Sequence, residues 1–198
     1  VVLRAAQLIQ QGAIGRLQTL HLHLQFQWAG FDSPDLCLVN HLAPWYVDGL
    51  NCLAGRMPSR VLVMDGFGQP GRRQYHSLAH FDYASLWGTL RVNINSADEL
   101  YTRFEATGDD GDIVIDYFKD ILQLRTRDNP SWETIEVPPI TPIAGWPGER
   151  ESVAAFLDAI ENGVPSRTNG RMVAQLHLVG LAAEASKDMG TWVDIEDV

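Results

Sequence analysis

The sequence is short of positive charge. It carries fifteen Lys and Arg against twenty-five Asp and Glu, a formal net charge of −10 at pH 7. Binding along a phosphate backbone needs a basic face, so the balance argues against nucleic acid as the main partner. It equally disfavours an anionic membrane surface. Cysteine is scarce as well. Cys37 and Cys52 are two in 198 residues, too few for a disulfide framework. They read as ordinary thiols of a reducing compartment, or at most as one bridge. No apolar run reaches the roughly eighteen residues of a membrane-spanning helix. The opening VVLRAAQLIQQG lacks the layout of a signal peptide. The expected location is therefore the cytoplasm, and a first residue that is Val rather than Met suggests a sequence beginning inside a longer reading frame. The nucleotide-binding glycine motifs are missing too. No GxxxxGK[ST] occurs, and no GxGxxG stands between a strand and a helix. GFGQPG comes nearest, but Pro70 and the lack of a following amphipathic helix count against it. No cofactor is expected on this chain alone.

What is present is the composition of a folded domain. Hydrophobic residues make up 45% and charged residues 20%, unlike a disordered chain, and the length suffices to bury a sizeable core. Val1 to Gln11 has helical spacing, with Gly12 where a C-terminal cap belongs. Leu20, Leu22, Leu24, Phe26 and Trp28 then alternate with Thr19, His21, His23, Gln25 and Gln27, predicting a long strand with one apolar and one polar face. Pro44 fits the first turn of a helix running from about Trp45 to Leu53. Val61–Met64 predicts a strand, and 77–116 reads as three strands separated by turns. GDDGD joins YTRFEAT to IVID as a hairpin. Two short strands follow, near Ile121–Thr126 and Glu133–Val137. Glu149 to Glu161 predicts an amphipathic helix with Val153, Phe156, Leu157 and Ile160 on one face. A second helix, capped by Thr168, carries Met172, Leu176, Val179 and Ala183 on its inner side. Trp192–Ile195 closes as a strand. The expected fold is α+β: an open, largely antiparallel mixed sheet with helices packed on one face, forming a single domain over 1–198.

The order of segments carries a family resemblance. LIQQGAIGRLQTL, YVDGLNCLAGRMPSRV, SLWGTLRV, FEATGDDGDIVID, ESVAAFLDAIENGVP and AAEASKDMGTWVDI succeed one another through nearly the whole chain. Together they resemble the C-terminal domain of the glucose–fructose oxidoreductase, inositol dehydrogenase and rhizopine-catabolism (Gfo/Idh/MocA) family. The resemblance implies half of a two-domain NAD(P)-dependent oxidoreductase acting on a sugar, polyol or related alcohol. An N-terminal Rossmann domain, absent here, would bind NAD or NADP and supply a catalytic Lys. The present half would supply an open sheet, much of the substrate pocket and often the oligomer interface. As an isolated chain it should be inactive, because hydride transfer needs the nicotinamide held against the substrate carbon.

The family commonly carries an Asp, a His four residues on and an Asp three further, the His acting as general acid/base. Counted back from Gly55, Asp48 matches the last position, Trp45 stands where the His is expected, and His41 stands where the first Asp is expected. His41 becomes the candidate catalytic residue, since imidazole titrates near neutral pH. Trp45 and Asp48 are candidate substrate-binding residues, with Trp28 and Trp146 as further wall candidates. The bland readings are a capping histidine, a core tryptophan and a locally hydrogen-bonded aspartate. His21 and His23 share one strand face but lack a third and fourth ligand, so a polar sheet face is favoured over a metal-dependent hydrolase. That uncharged face can also pack against a copy of itself, giving a homodimer or higher homo-oligomer. Tyr75, His76 and His80 could reach a pocket, and Arg72 and Arg73 an acidic substrate group. A non-catalytic sugar-binding or scaffold module that has lost its cofactor domain is the alternative function.

Overall fold

The computed structural model describes residues 1–27, 37–65, 76–138, 148–166 and 168–197. Helix α1 (Val2–Gln10) ends where expected. Gly12 adopts a left-handed φ of +79°, and the Gly12 and Ala13 N–H groups donate to the Ile9 and Leu8 carbonyls. These are the two bonds of a Schellman cap. Strand β1 (Leu17–Gln27) follows, and its alternation works as predicted. Leu20, Leu22 and Leu24 are buried while His21 and Gln27 are exposed. Each buried leucine contributes about 1.5–3 kcal/mol relative to exposure.

The chain continues through α2 (Leu38–Leu42), a five-residue π turn (Ala43–Val47) and α3 (Asp48–Ala54). Strands β2 (Arg60–Asp65), β3 (His76–Asp82), β4 (Trp87–Asn93), β5 (Asn95–Gly108), β6 (Gly111–Asp116), β7 (Ile121–Thr126) and β8 (Glu133–Thr134) follow. Helices α4 (Glu149–Asn162) and α5 (Gly170–Met189) and the short β9 (Val193–Asp194) complete the described elements. The sheet order is β8-β7-β6-β5-β1-β4-β3-β2-β9. Its pairings are antiparallel except for β1 with β4, which run parallel. The mixed, largely antiparallel open sheet is the one expected.

The β5–β6 hairpin locks onto the turn between α1 and β1. Gly108 sits so close to the Ile14 carbonyl that a Cβ would overlap it. The Asp110 N–H donates to that same carbonyl at 3.0 Å, and Asp109 accepts from the Arg16 N–H at 2.7 Å. Cys37 and Cys52 are both free, and burial pushes the Cys37 thiol up to about 11, so it stays protonated.

Residues 77–116, expected to hold three strands, hold four, β3 to β6, because the chain reverses between Asn93 and Asn95 to pair both sides of β1. Three further details differ from the sequence reading. The helix expected from Trp45 begins at Leu38, and Pro44 lies inside it. The cap of α5 is Asn169, whose side chain accepts from the Met172 N–H at 3.1 Å, rather than Thr168. The third concerns α4. An amphipathic face is ordinarily turned to the core, yet Val153, Phe156, Leu157 and Ile160 are all more than half exposed.

Candidate functional site

Pro44 explains the shape of the segment that carries the candidate residues. A proline inside an α-helix removes one backbone bond and clashes with the carbonyl four residues back. Here the helix widens instead, and the Asp48 N–H donates to the Ala43 carbonyl five residues back. Such π turns are uncommon and recur at functional sites. They change which side chains share a helix face.

His41 and Trp45 are brought together. Their ring centroids lie 5.8 Å apart at a tilt of 57°. His41 is half-buried, whereas Trp45 is 64% exposed and projects from the surface. A core role for Trp45 is thereby excluded. Asp48 is half-buried at the first turn of α3. Trp28 and Trp146 lie outside the described residues, as do Tyr75, Arg72 and Arg73. His76 opens β3 and is exposed, and His80 is half-buried on the same strand.

The scaffold beneath this segment was not read from the sequence. Asn40 donates its amide to the Glu184 carboxylate of α5 at 2.7 Å, and Gly180 leaves the space that Asn40 fills. This contact fixes α2 beside α5 and so fixes the base of His41. On the sheet side, Gly49 lies against the buried Phe104 ring, which packs edge-on to Tyr117 at 6.4 Å. Burial raises the Tyr46 phenol, with the hydroxyl of Thr102 opposing and Tyr117 adding to the rise. Burial, then Asp120, raises the Tyr117 phenol. Both hydroxyls remain protonated at neutral pH and can donate to a polar ligand. The signal that could have found them is topological. β1, β2, β4 and β6 end, and β3, β5 and β7 begin, at one end of the sheet, and Tyr117 directly follows β6 there.

The opposite, open face of the sheet is polar along consecutive register rows. One row reads Gln123, Val114, Glu105, His21, Thr89, His80 and Leu62. His21 shares a hydrogen bond with Thr89 at 2.7 Å, and the Gln25 amide and the His23 ring lie 2.9 Å apart. Partial burial, then Arg91, holds the His23 imidazole below the ordinary histidine range. Glu105 opposes that shift and Arg103 adds to it. Among the described residues no group of three or more His, Cys, Asp or Glu side chains is placed to hold a metal ion. One corner of the sheet is aromatic. The Trp87 and Trp192 rings lie 5.7 Å apart, and the Arg60 guanidinium stands over Trp192 at 4.9 Å.

No protein-family model matches the chain, and no curated protein matches it. Solved structures do. A levoglucosan dehydrogenase in complex with NADH and levoglucosan superposes with a TM-score of 0.77 at 21% identity, over 98% of this chain and 63% of its own. An oxidoreductase from Agrobacterium radiobacter, in complex with NAD+, L-tartaric acid and magnesium, gives 0.76 at 14% identity, over 99% and 62%. An oxidoreductase domain protein from Kribbella flavida gives 0.74 at 17% identity, over 98% and 62%. The chain has the fold of these oxidoreductases. The resemblance drawn from the segments of the sequence therefore holds at the level of fold. The chain spans less than two thirds of the length of each of these structures.

Proposed function

We propose that the chain is the substrate-binding and oligomerising part of an NAD(P)-dependent oxidoreductase acting on a sugar, polyol or related alcohol, and that it is inactive by itself. The observation that carries this reading is the match over 98% of the chain to a dehydrogenase whose complex holds both NADH and a sugar. The described residues do not fit a dinucleotide. The glycines at 15, 108 and 111 are spent on turns where a Cβ would collide with neighbouring atoms. GFGQPG, at 66–71, lies outside the described residues; the described elements on either side of it are the strands β2 and β3, not the strand and helix that hold a pyrophosphate. The nicotinamide belongs to another part of the polypeptide in this reading.

The roles left to this chain are binding and proton handling. The exposed Trp45 offers an aromatic face to the apolar C–H side of a sugar ring. His41, in ring contact with Trp45, is the imidazole placed to exchange a proton with a reacting hydroxyl. Asp48 orients a hydroxyl of the bound sugar. Tyr46 and Tyr117 supply further O–H donors at the same sheet end. The open face of the sheet pairs two copies, with the Trp87, Trp192 and Arg60 corner as its anchor, because Trp and Arg dominate interface energetics. Light scattering showing only a 22.0 kDa species at tens of micromolar would contradict the pairing.

One observation favours a second reading, a sugar-binding or scaffold module without chemistry. Trp45 stands where the resembled family carries its histidine, and it is largely exposed. The full-length polypeptide, assayed with NAD and with NADP against a panel of sugars and polyols, separates the two. Turnover that falls at least tenfold in His41→Asn supports the enzyme. Sugar binding without turnover on any cofactor supports the module.

A further inference from the structure

Helix α4 is built to be covered, and no described residue covers it. Val153, Phe156, Leu157 and Ile160 recur at the spacing of a single helix face, at 57, 56, 52 and 63% exposure. Val164, just beyond the helix, is exposed as well, at 49%. Ala159 is the one buried residue of α4. A helix of 14 residues is marginal in water without tertiary packing of its apolar face, so this stripe identifies an interface.

The charges around the stripe narrow the occupant. Glu149, Glu151, Asp158 and Glu161 outnumber Arg150 on the helix. A second copy of α4 would set acid against acid, and like charges brought face to face across an interface are penalised. The occupant has an apolar centre and a basic rim. The matched structures supply a candidate of that size. Each extends over more than a third of its length beyond the part matched here, and two of them hold NADH or NAD+. We infer that the apolar face of α4 is the docking surface for the dinucleotide-binding domain of the same polypeptide, which meets it through apolar side chains ringed by Lys or Arg. This inference rests on the oxidoreductase reading above and adds to it the surface through which the two domains hold each other.

The test compares hydrogen exchange in the isolated chain and in the full-length polypeptide, with NADH binding followed separately by fluorescence. The α4 amides should exchange rapidly in the isolated chain and at least about tenfold more slowly in the full-length protein. The double variant Phe156→Glu/Ile160→Glu should return α4 to rapid exchange in the full-length protein. Phe156→Leu should retain the protection. Circular dichroism should show all variants folded, because the altered side chains are exposed. Full-length protein that binds NADH while α4 exchanges as fast as in the isolated chain overturns the docking surface and leaves the oxidoreductase reading standing. A coding sequence without a dinucleotide-binding domain, or a full-length protein that binds neither NADH nor NADPH, overturns both. Protection of α4 that rises with concentration of the isolated chain, and is lost in the double variant, overturns the inference in favour of self-pairing.

Discussion

Gly49→Ala sets two known effects against each other at the base of the candidate site. Gly49 lies inside α3 with an ordinary helical φ, so helix propensity alone predicts that alanine stabilises the protein by about 0.8–1.0 kcal/mol. The surroundings reverse the sign. A Cβ built at Gly49 would stand 2.7 Å from Cζ and 2.8 Å from Cε1 of Phe104, and an ordinary van der Waals contact is about 3.5–4.0 Å. Phe104 is 3% exposed and wedged against Tyr117, so its ring has little room to yield. Overpacking of this kind typically costs about 1–3 kcal/mol. The balance is a net loss of about 1 kcal/mol, with about 2 kcal/mol as the upper end. With a urea dependence of about 2 kcal/mol per molar, the unfolding midpoint should fall by roughly 0.5–1 M. Shortening the obstructing ring should restore much of the loss. Gly49→Ala/Phe104→Leu should therefore lie well above the sum of the two single variants, the non-additivity expected of contacting residues. Equilibrium urea unfolding followed by tryptophan fluorescence measures all four proteins. A Gly49→Ala midpoint equal to or above that of the parent would refute the reasoning, because propensity would then outweigh the clash.

Other expectations follow from the same contacts. Tyr83 is 1% exposed, and its hydroxyl donates to Asn51 Oδ1 at 2.8 Å. Tyr83→Phe leaves that acceptor buried and unpaired and should cost about 1–3 kcal/mol, a fall of several degrees in Tm. An unchanged melting curve would show that water replaces the phenol. Burial raises the Asp65 carboxyl above its ordinary range, with Ser77 and Lys187 only partly offsetting it. An acid whose pKa rises on folding favours the fold while protonated, and that advantage is lost as pH rises from the ordinary carboxylate range through the raised value. Asp65→Asn can still accept the Ser77 hydroxyl, so it should be more stable than the parent at pH 7, the gap closing in acid. A variant less stable at pH 7 would contradict the assignment. Because Trp45 is largely exposed, Trp45→Ala should change stability by under about 0.5 kcal/mol while weakening sugar binding by the full-length protein. Loss of stability without loss of binding would place Trp45 in packing instead.

The parts of the fold that were legible are those whose signal is local. The leucines of β1 alternate in the sequence and in the structure alike, and the glycine after α1 and the Asp-Gly turn after β5 each stop one element. Pairing is not local. Nothing in LQTLHLHLQFQ says that its neighbours will be β4 in parallel and β5 in antiparallel. Pro44 misled for a definite reason. A proline at the first turn of a helix and a proline inside a π turn leave the same mark in a sequence, and only the bond from Asp48 to Ala43 distinguishes them. The stripe on α4 showed that the helix needs a cover, but not where the cover is. The contact of His41 with Trp45 follows from their four-residue spacing, and its support from Asn40, Glu184 and Gly180 spans more than a hundred residues. Those supporting residues carry no signal that a linear reading detects.

The central place of β1 also bears on how the protein is made. Thr19 pairs with Trp87 on one side, and Leu17 with Gly108 on the other. At a synthesis rate of about 5–20 residues per second, β1 leaves the ribosome roughly 3–14 s before its parallel neighbour. During that interval both of its edges are open, and Leu20, Leu22 and Leu24 have no sheet to join. Such a strand invites pairing with other nascent chains. Its polar alternate residues, His21, His23, Gln25 and Gln27, then act as gatekeepers that limit β-aggregation until β4 and β5 arrive. Apolar substitutions at these positions would therefore lower the yield of folded protein in cells before they altered the folded molecule.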